Sequence, residues 1–202
     1  MTKAEPAASV RRLRSIGRAL LVQPRWLSWI LPVAWAGAIF LLSSLRSLDG
    51  PSKAWELGGL TGNLGHPAVF GMLALLLVPL ARRRLLAPTA PLAPTGRGGG
   101  SRLWTDLSPE GALWIVVTVA LYGFTDELHQ STVEGRDASI LDLLSDTVGA
   151  VAVVAVVMYL GRPDADGPGL WRRLTAGFAA SLLAAGIATL WGMFMGPSPW
   201  PF

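Results

Sequence analysis

The chain has no cysteine in 202 residues, which excludes disulfides, thiolate metal sites and a cysteine nucleophile while saying little about compartment. Charge is also scarce: Asp, Glu, Lys and Arg make up 15% of the sequence against 51% hydrophobic residues. With a mean hydropathy of +0.46 and nine tryptophans, the chain is too apolar for an ordinary soluble domain of this length. It has to be tested for membrane spans.

Where charge is missing altogether, spans are expected. Residues 26–45 (WLSWILPVAWAGAIFLLSSL) and 57–81 are uncharged, and both reach the roughly 20 residues that cross about 30 Å of hydrocarbon. Residues 111–125 and 147–161 are uncharged runs of fifteen, about 22 Å as helix. They cross only if flanking polar residues are drawn into the bilayer. Residues 174–202 carry no charge, and Leu174 to Met195 is the expected fifth span. The fold class is therefore all-α, a multi-pass transmembrane helical bundle of about five spans. The first apolar run is too long for a signal-peptide core and no small-residue cleavage site follows it, so it reads as an uncleaved span.

Basic residues orient the bundle. Residues 1–25, the 82–110 loop and the 161–173 loop hold Lys3 and thirteen arginines, whereas Arg46, Lys53 and Arg136 fall on the opposite side. The positive-inside rule then puts the N-terminus in the cytoplasm and the C-terminus outside. Trp26, Trp29, Trp104 and Trp171 fit the cytoplasmic interface, and Trp55 and Trp200 the outer one. Four units follow: a basic cytoplasmic segment over 1–25, a four-helix membrane domain over 26–160, a cytoplasmic linker over 161–173, and a fifth span with a short outer C-terminus over 174–202. The basic segment is read as a charged flank in preference to a helix lying on anionic lipid. Within the membrane domain, the Pro-, Gly- and Thr-rich stretch at 82–108 reads as a flexible cytoplasmic loop.

Against this background one stretch stands out. Residues 121–150 (LYGFTDELHQSTVEGRDASILDLLSDTVGA) concentrate six acids, an arginine and a histidine between apolar runs. Ser108 and Pro109 are a helix start, so the third span runs outward and ends near Asp126, Glu127, His129 and Gln130. Helical spacing puts Tyr122, Asp126, His129 and Gln130 on one face. The chain turns at Gly135, Arg136 and Asp137, then descends with Asp142, Ser145, Asp146 and Gly149 on another face. His66, the only other histidine, lies in GNLGHPAVF, where Pro67 suits a first helical turn and leaves His66 near the N-cap. Ser43 and Ser44 end the first span on the same side. Acids drawn to lipid depth are costly unless paired or protonated, which makes them functional candidates. Asp142 and Asp146 also suit a structural role, pairing with Arg136 or capping their helix, and Gly149 suits close packing.

These residues resemble the VanZ-like family, named after a membrane protein linked to teicoplanin resistance. The resemblance covers roughly residues 35–160. It rests on His66 with Phe70, the block Asp126-Glu127-Leu128-His129-Gln130, then Gly135-Arg136, Ser139, Asp142 and Gly149. It implies a small multi-pass protein of the cell envelope and a link to glycopeptide antibiotic resistance. Two departures stand out. The family often carries Asp-Lys where this chain has Gly62 and Asn63, and Asn where it has Asp146. A role for that lysine in neutralising a ligand phosphate or a carboxylate would be vacant here or fall to Arg136.

Three function classes stay open. One is an enzyme acting on a lipid or cell-wall precursor bearing phosphate, with His66, Asp126, Glu127 and His129 as catalytic candidates and Gln130, Arg136 and Asp142 as substrate-binding ones. No cofactor is fixed by the sequence, although a divalent cation held by the acid excess suits this class. A second is a non-catalytic accessory protein altering envelope composition. The third is a small proton-coupled carrier. The expected partners are membrane lipids, polyprenyl or phospholipid phosphate among them, and not nucleic acid. The polar site is expected at the extracytoplasmic side of the cell membrane, and oligomeric state stays open.

Overall fold

A computed structural model of the chain describes residues 8–45, 55–85, 107–133, 138–162 and 164–195, with side chains described for these except 18–22, 55–62 and 82–85. Six helices make up the described residues: α1 (Ala8–Val22), α2 (Arg25–Ser43), α3 (Trp55–Leu85), α4 (Pro109–Gln130), α5 (Ile140–Leu160) and α6 (Gly167–Met195). All but α1 are long and apolar enough to cross a membrane. Backbone polar groups have no water to bond in hydrocarbon, so a helix, which satisfies them internally, is the fold that uncharged runs of this length impose.

The two short runs reach across by taking in polar residues. α4 spans 22 residues and α5 spans 21, each about 32 Å long, and the additions to α4 include Asp126, Glu127, His129 and Gln130. Ser108 caps α4 as expected, its hydroxyl accepting from the Gly111 N–H at 3.1 Å, with Pro109 in the first turn. α3 departs from expectation. It starts at Trp55, so His66 and Pro67 lie inside the helix and not at its N-terminus. In lipid a proline within a helix is tolerated because neighbouring helices compensate the lost bond.

α5 is the centre of the bundle, packing along α3, α4 and α6, while α2 lies on α3 and α4. Without a hydrophobic drive between helices, association rests on close contact and interhelical hydrogen bonds. Gly149 on α5 provides the closest approach: a methyl there would run into the backbone of Pro67 on α3. Phe70, Leu73, Ala74, Val78, Ile115 and Val154 fill the core around it. The Trp35 indole donates to the Val69 carbonyl at 2.9 Å and the Tyr122 hydroxyl to the Ala36 carbonyl at 2.5 Å, tying α2 to α3 and α4. Large apolar side chains such as Val33, Leu41, Leu113, Val117, Leu144 and Leu183 face outward, where lipid would cover them.

The basic N-terminal segment is more than a charged flank. It forms α1, which packs against α3 and α6 with Val10 fully buried, and Arg14 donates to the carbonyls of Leu160 and Arg162 at 2.9 and 2.7 Å. α6 begins at Gly167, inside the expected linker, and packs along α5 and α3. Between α1, α3, α5 and α6 runs an apolar groove of about 600 Å³. Leu64, Pro67 and Gly149 line one end of it and Leu160, Arg173 and Leu174 the other.

Candidate functional site

Chain direction alternates along the bundle, so the start of α5 and the ends of α2, α4 and α6 gather at one end, with His66 of α3 among them. This is the histidine end. At its centre, His66 Nδ1 and Asp146 Oδ1 are 2.9 Å apart. One donor atom from each of His66, Glu127 and Asp146 lies within 4.8 Å of the others. Glu127 and Asp146 are wholly buried, while His66 keeps 17% of its side chain exposed. Glu127 is held by the backbone at the start of α5, where the Ser139 N–H donates to Oε2 at 2.6 Å. Ser139 also caps α5, its hydroxyl accepting from the Leu141 N–H at 3.2 Å. Phe70 stacks parallel to the His66 ring at 6.2 Å between centroids.

A second group faces α2. Asp126 Oδ2 accepts from the Ser43 hydroxyl at 2.8 Å and from the Gln130 amide at 2.9 Å. His129 Nε2 lies 2.8 Å from the Ser44 hydroxyl, and its ring stacks on Phe40 at 4.2 Å. The four residues expected on one helical face, Tyr122, Asp126, His129 and Gln130, thus all turn to α2 or bond within that group. Glu127 points instead into the bundle. Asp142 lies within electrostatic reach of both His66 and Glu127. Arg136 lies outside the described residues.

At this end Asp126 Oδ1, Glu127 Oε1, Ser145 Oγ and Asp146 Oδ2 are buried with no hydrogen-bond partner among the described residues. Buried polar groups are nearly always paired, so such a set signals something further in the site. Gly123 of α4 lets that helix pack close to Asp146, since a Cβ there would stand 3.0 Å from Oδ2. Sequence reasoning left Asp146, Ser145, Ser139 and Gly123 out of the site. Asp146 carried the clearest signal, a carboxylate nearly two turns inside a membrane-length helix and on the face of Gly149.

At the opposite, arginine end, polar groups close on themselves. The Tyr159 hydroxyl donates to Asp166 Oδ1 at 2.6 Å and accepts from the Asp166 N–H at 2.9 Å, and the Gly169 N–H donates to the same carboxylate at 2.7 Å. The Arg173 guanidinium covers the Tyr159 ring at 3.8 Å, a cation–π contact. The Tyr159 and Gly169 donors hold the Asp166 carboxyl below its usual range.

Five apolar helices around a buried histidine–carboxylate centre define a multi-pass helical membrane protein with a polar site at one end of its bundle. The family assignment is more specific. The VanZ/LLP1 family model matches residues 6–161, so the chain belongs to that family. The matched region includes α1 and every site residue named above, and leaves out α6. No curated protein and no solved structure matches the chain. At the position where the resemblance leads one to expect lysine, Asn63 donates to Thr189 of α6 at 2.9 Å and serves to join two helices.

Proposed function

We propose that this protein binds a phosphate-bearing lipid or lipid-linked cell-wall precursor, with its headgroup at the histidine end and its hydrocarbon chain in the apolar groove. The observation that carries the reading is continuity between the two. Leu64, Pro67 and Gly149 line the groove; the first two flank His66 on α3, and Gly149 lies about one helical turn from Asp146 on α5. From Gly149 to Leu160 the groove wall runs about 16 Å along α5, a length suited to part of a polyprenyl or acyl chain. Arg136, which lies between α4 and α5 in the sequence, is the residue assigned to grip phosphate. His66, Asp126, Glu127 and His129 are the polar groups that meet the headgroup, and Gln130 and Asp142 position them. Altered access of glycopeptides to such a precursor is the expected cellular consequence.

Native mass spectrometry of the full chain in detergent tests the reading, with polyprenyl phosphate, phosphatidic acid and diacylglycerol offered in competition. Preferential retention of a phosphate lipid, lost in His66→Gln, is expected, and the preferred one identifies the hydrocarbon. Equal retention of diacylglycerol would overturn it.

The histidine end is proposed to face outside, because fourteen of the 17 basic residues then lie in the cytoplasm. In this cysteine-free chain, single cysteines at Ser131 and Thr95 should react differently with an impermeant maleimide on intact cells. Labelling at position 131 alone is expected; labelling at 95 alone reverses the orientation.

A further inference from the structure

Phosphate and the histidine end do not fit one another as they stand. Glu127, Asp142 and Asp146 crowd around one imidazole with Asp126 close to Asp146, and bare carboxylates repel an anionic headgroup at short range. The two carboxylates nearest His66 also each keep one buried oxygen without a partner, Glu127 Oε1 and Asp146 Oδ2. Both residues are wholly buried, so water at the surface does not satisfy these oxygens. Gly123 of α4 packs close beside Asp146 Oδ2, where a Cβ would stand 3.0 Å from that oxygen.

We propose that His66, Glu127 and Asp146 together bind one divalent cation, and that this cation supplies the positive charge that meets the lipid phosphate. The donor set is one imidazole nitrogen and two carboxylates, a mixture that suits Mn²⁺ or Zn²⁺ better than it suits a purely oxygen-seeking ion. Two carboxylate charges balance one divalent ion. Donors on opposite sides of a metal with bonds of about 2.1 Å stand at most about 4.2 Å apart. The three donor atoms already lie within 4.8 Å of one another, so coordination asks for side-chain adjustment and not for movement of helices. Glu127 is anchored by Ser139 through Oε2, while its Oε1 has no partner among the described residues, and Phe70 stacks against the imidazole. Both contacts hold a ligand in place without occupying its free donor.

The cation rests on the headgroup reading for its purpose but not for its existence, and one set of measurements separates them. Mn²⁺ is titrated into the metal-stripped full chain in detergent free of phosphate lipid and followed by electron paramagnetic resonance. One tightly held Mn²⁺ per chain is expected, weakened about tenfold or more in Glu127→Gln and in Asp146→Asn. Asp164→Asn, an exposed change at the arginine end, leaves binding unchanged and serves as the control. Each variant is checked by size exclusion and circular dichroism. Should one carboxylate variant fail to fold, the other decides. Absence of bound Mn²⁺ in the folded wild-type protein, or binding indifferent to the carboxylate variant, overturns the cation and leaves protons on the acids as the explanation. Phosphate-lipid retention that survives EDTA overturns the bridging role alone. Mn²⁺ binding without any preference for phosphate lipid keeps the cation and removes the lipid.

Discussion

The two ends of the bundle use similar polar chemistry to opposite effect. At the arginine end Tyr159, Asp166, Gly169 and Arg173 bond to one another, and the donors around the Asp166 carboxylate converge on one oxygen. At the histidine end the oxygens of Asp126, Glu127 and Asp146 outnumber the donors that reach them, and one buried oxygen of each is left over. A network that satisfies itself needs nothing else and reads as a fastening between α5 and α6. One that does not is stable only with something added, a proton or a ligand, because unpaired polar groups in an apolar interior are costly. Charge density alone does not tell the two apart; the accounting of donors and acceptors does.

The sharpest way to break the comparison is through glycine at each end. In Gly149→Ala the added methyl meets the backbone of Pro67, which cannot move aside without separating α3 from α5. A loss of about 3 kcal/mol or more is expected, measured as loss of monodisperse protein on heating in detergent. In Gly169→Ala the methyl meets the ends of the Tyr159 and Asp166 side chains, which can give way, and about 1 kcal/mol is expected. Equal costs would mean that the close crossing of α3 and α5 is not what holds the histidine end together.

Next in size is Glu127→Gln. Glutamine keeps the acceptor for the Ser139 N–H and removes a buried charge, so thermal stability should be unchanged or higher by about 1 kcal/mol. Headgroup retention should fall roughly tenfold. A variant that loses stability while keeping its lipid would make this carboxylate structural. At the other end Arg14→Ala removes two bonds from α1 to the end of α5 and should cost about 1 kcal/mol, with no change in lipid preference by native mass spectrometry.

The smallest effect is one of pH. Because the Asp166 carboxyl titrates below its ordinary value of 3.8, its contribution is present above that value and is lost as pH falls through it toward the folded-state value. Asp166→Asn should flatten that acid limb of a stability–pH profile. An unaltered limb would place the acid sensitivity elsewhere in the chain.

The sequence alone determined that the chain is helical and crosses the membrane several times, since uncharged runs of this length have no other way to satisfy their backbone in lipid. It also determined the cap at Ser108, because a serine before a proline is a local signal, and it brought His66, Asp126, Glu127, His129, Gln130 and Asp142 to one end, because alternating spans leave little choice. It suggested a charged flank at residues 1–25, within which Ala8–Val22 form a docked helix, since the burial of Val10 depends on α3 and α6 being present. Only the tertiary structure decided which polar residues meet. Asp126 and Glu127 are neighbours in sequence, yet one turns to Ser43 on α2 and the other into the bundle toward His66. Asp146 pairs with His66 across 80 residues of chain. Helical periodicity fixes the direction of a side chain relative to its own axis, but the partner it finds is set by how the helices are rotated and how closely they approach. Here that approach is governed by the contact of Gly149 with Pro67, which no local pattern encodes.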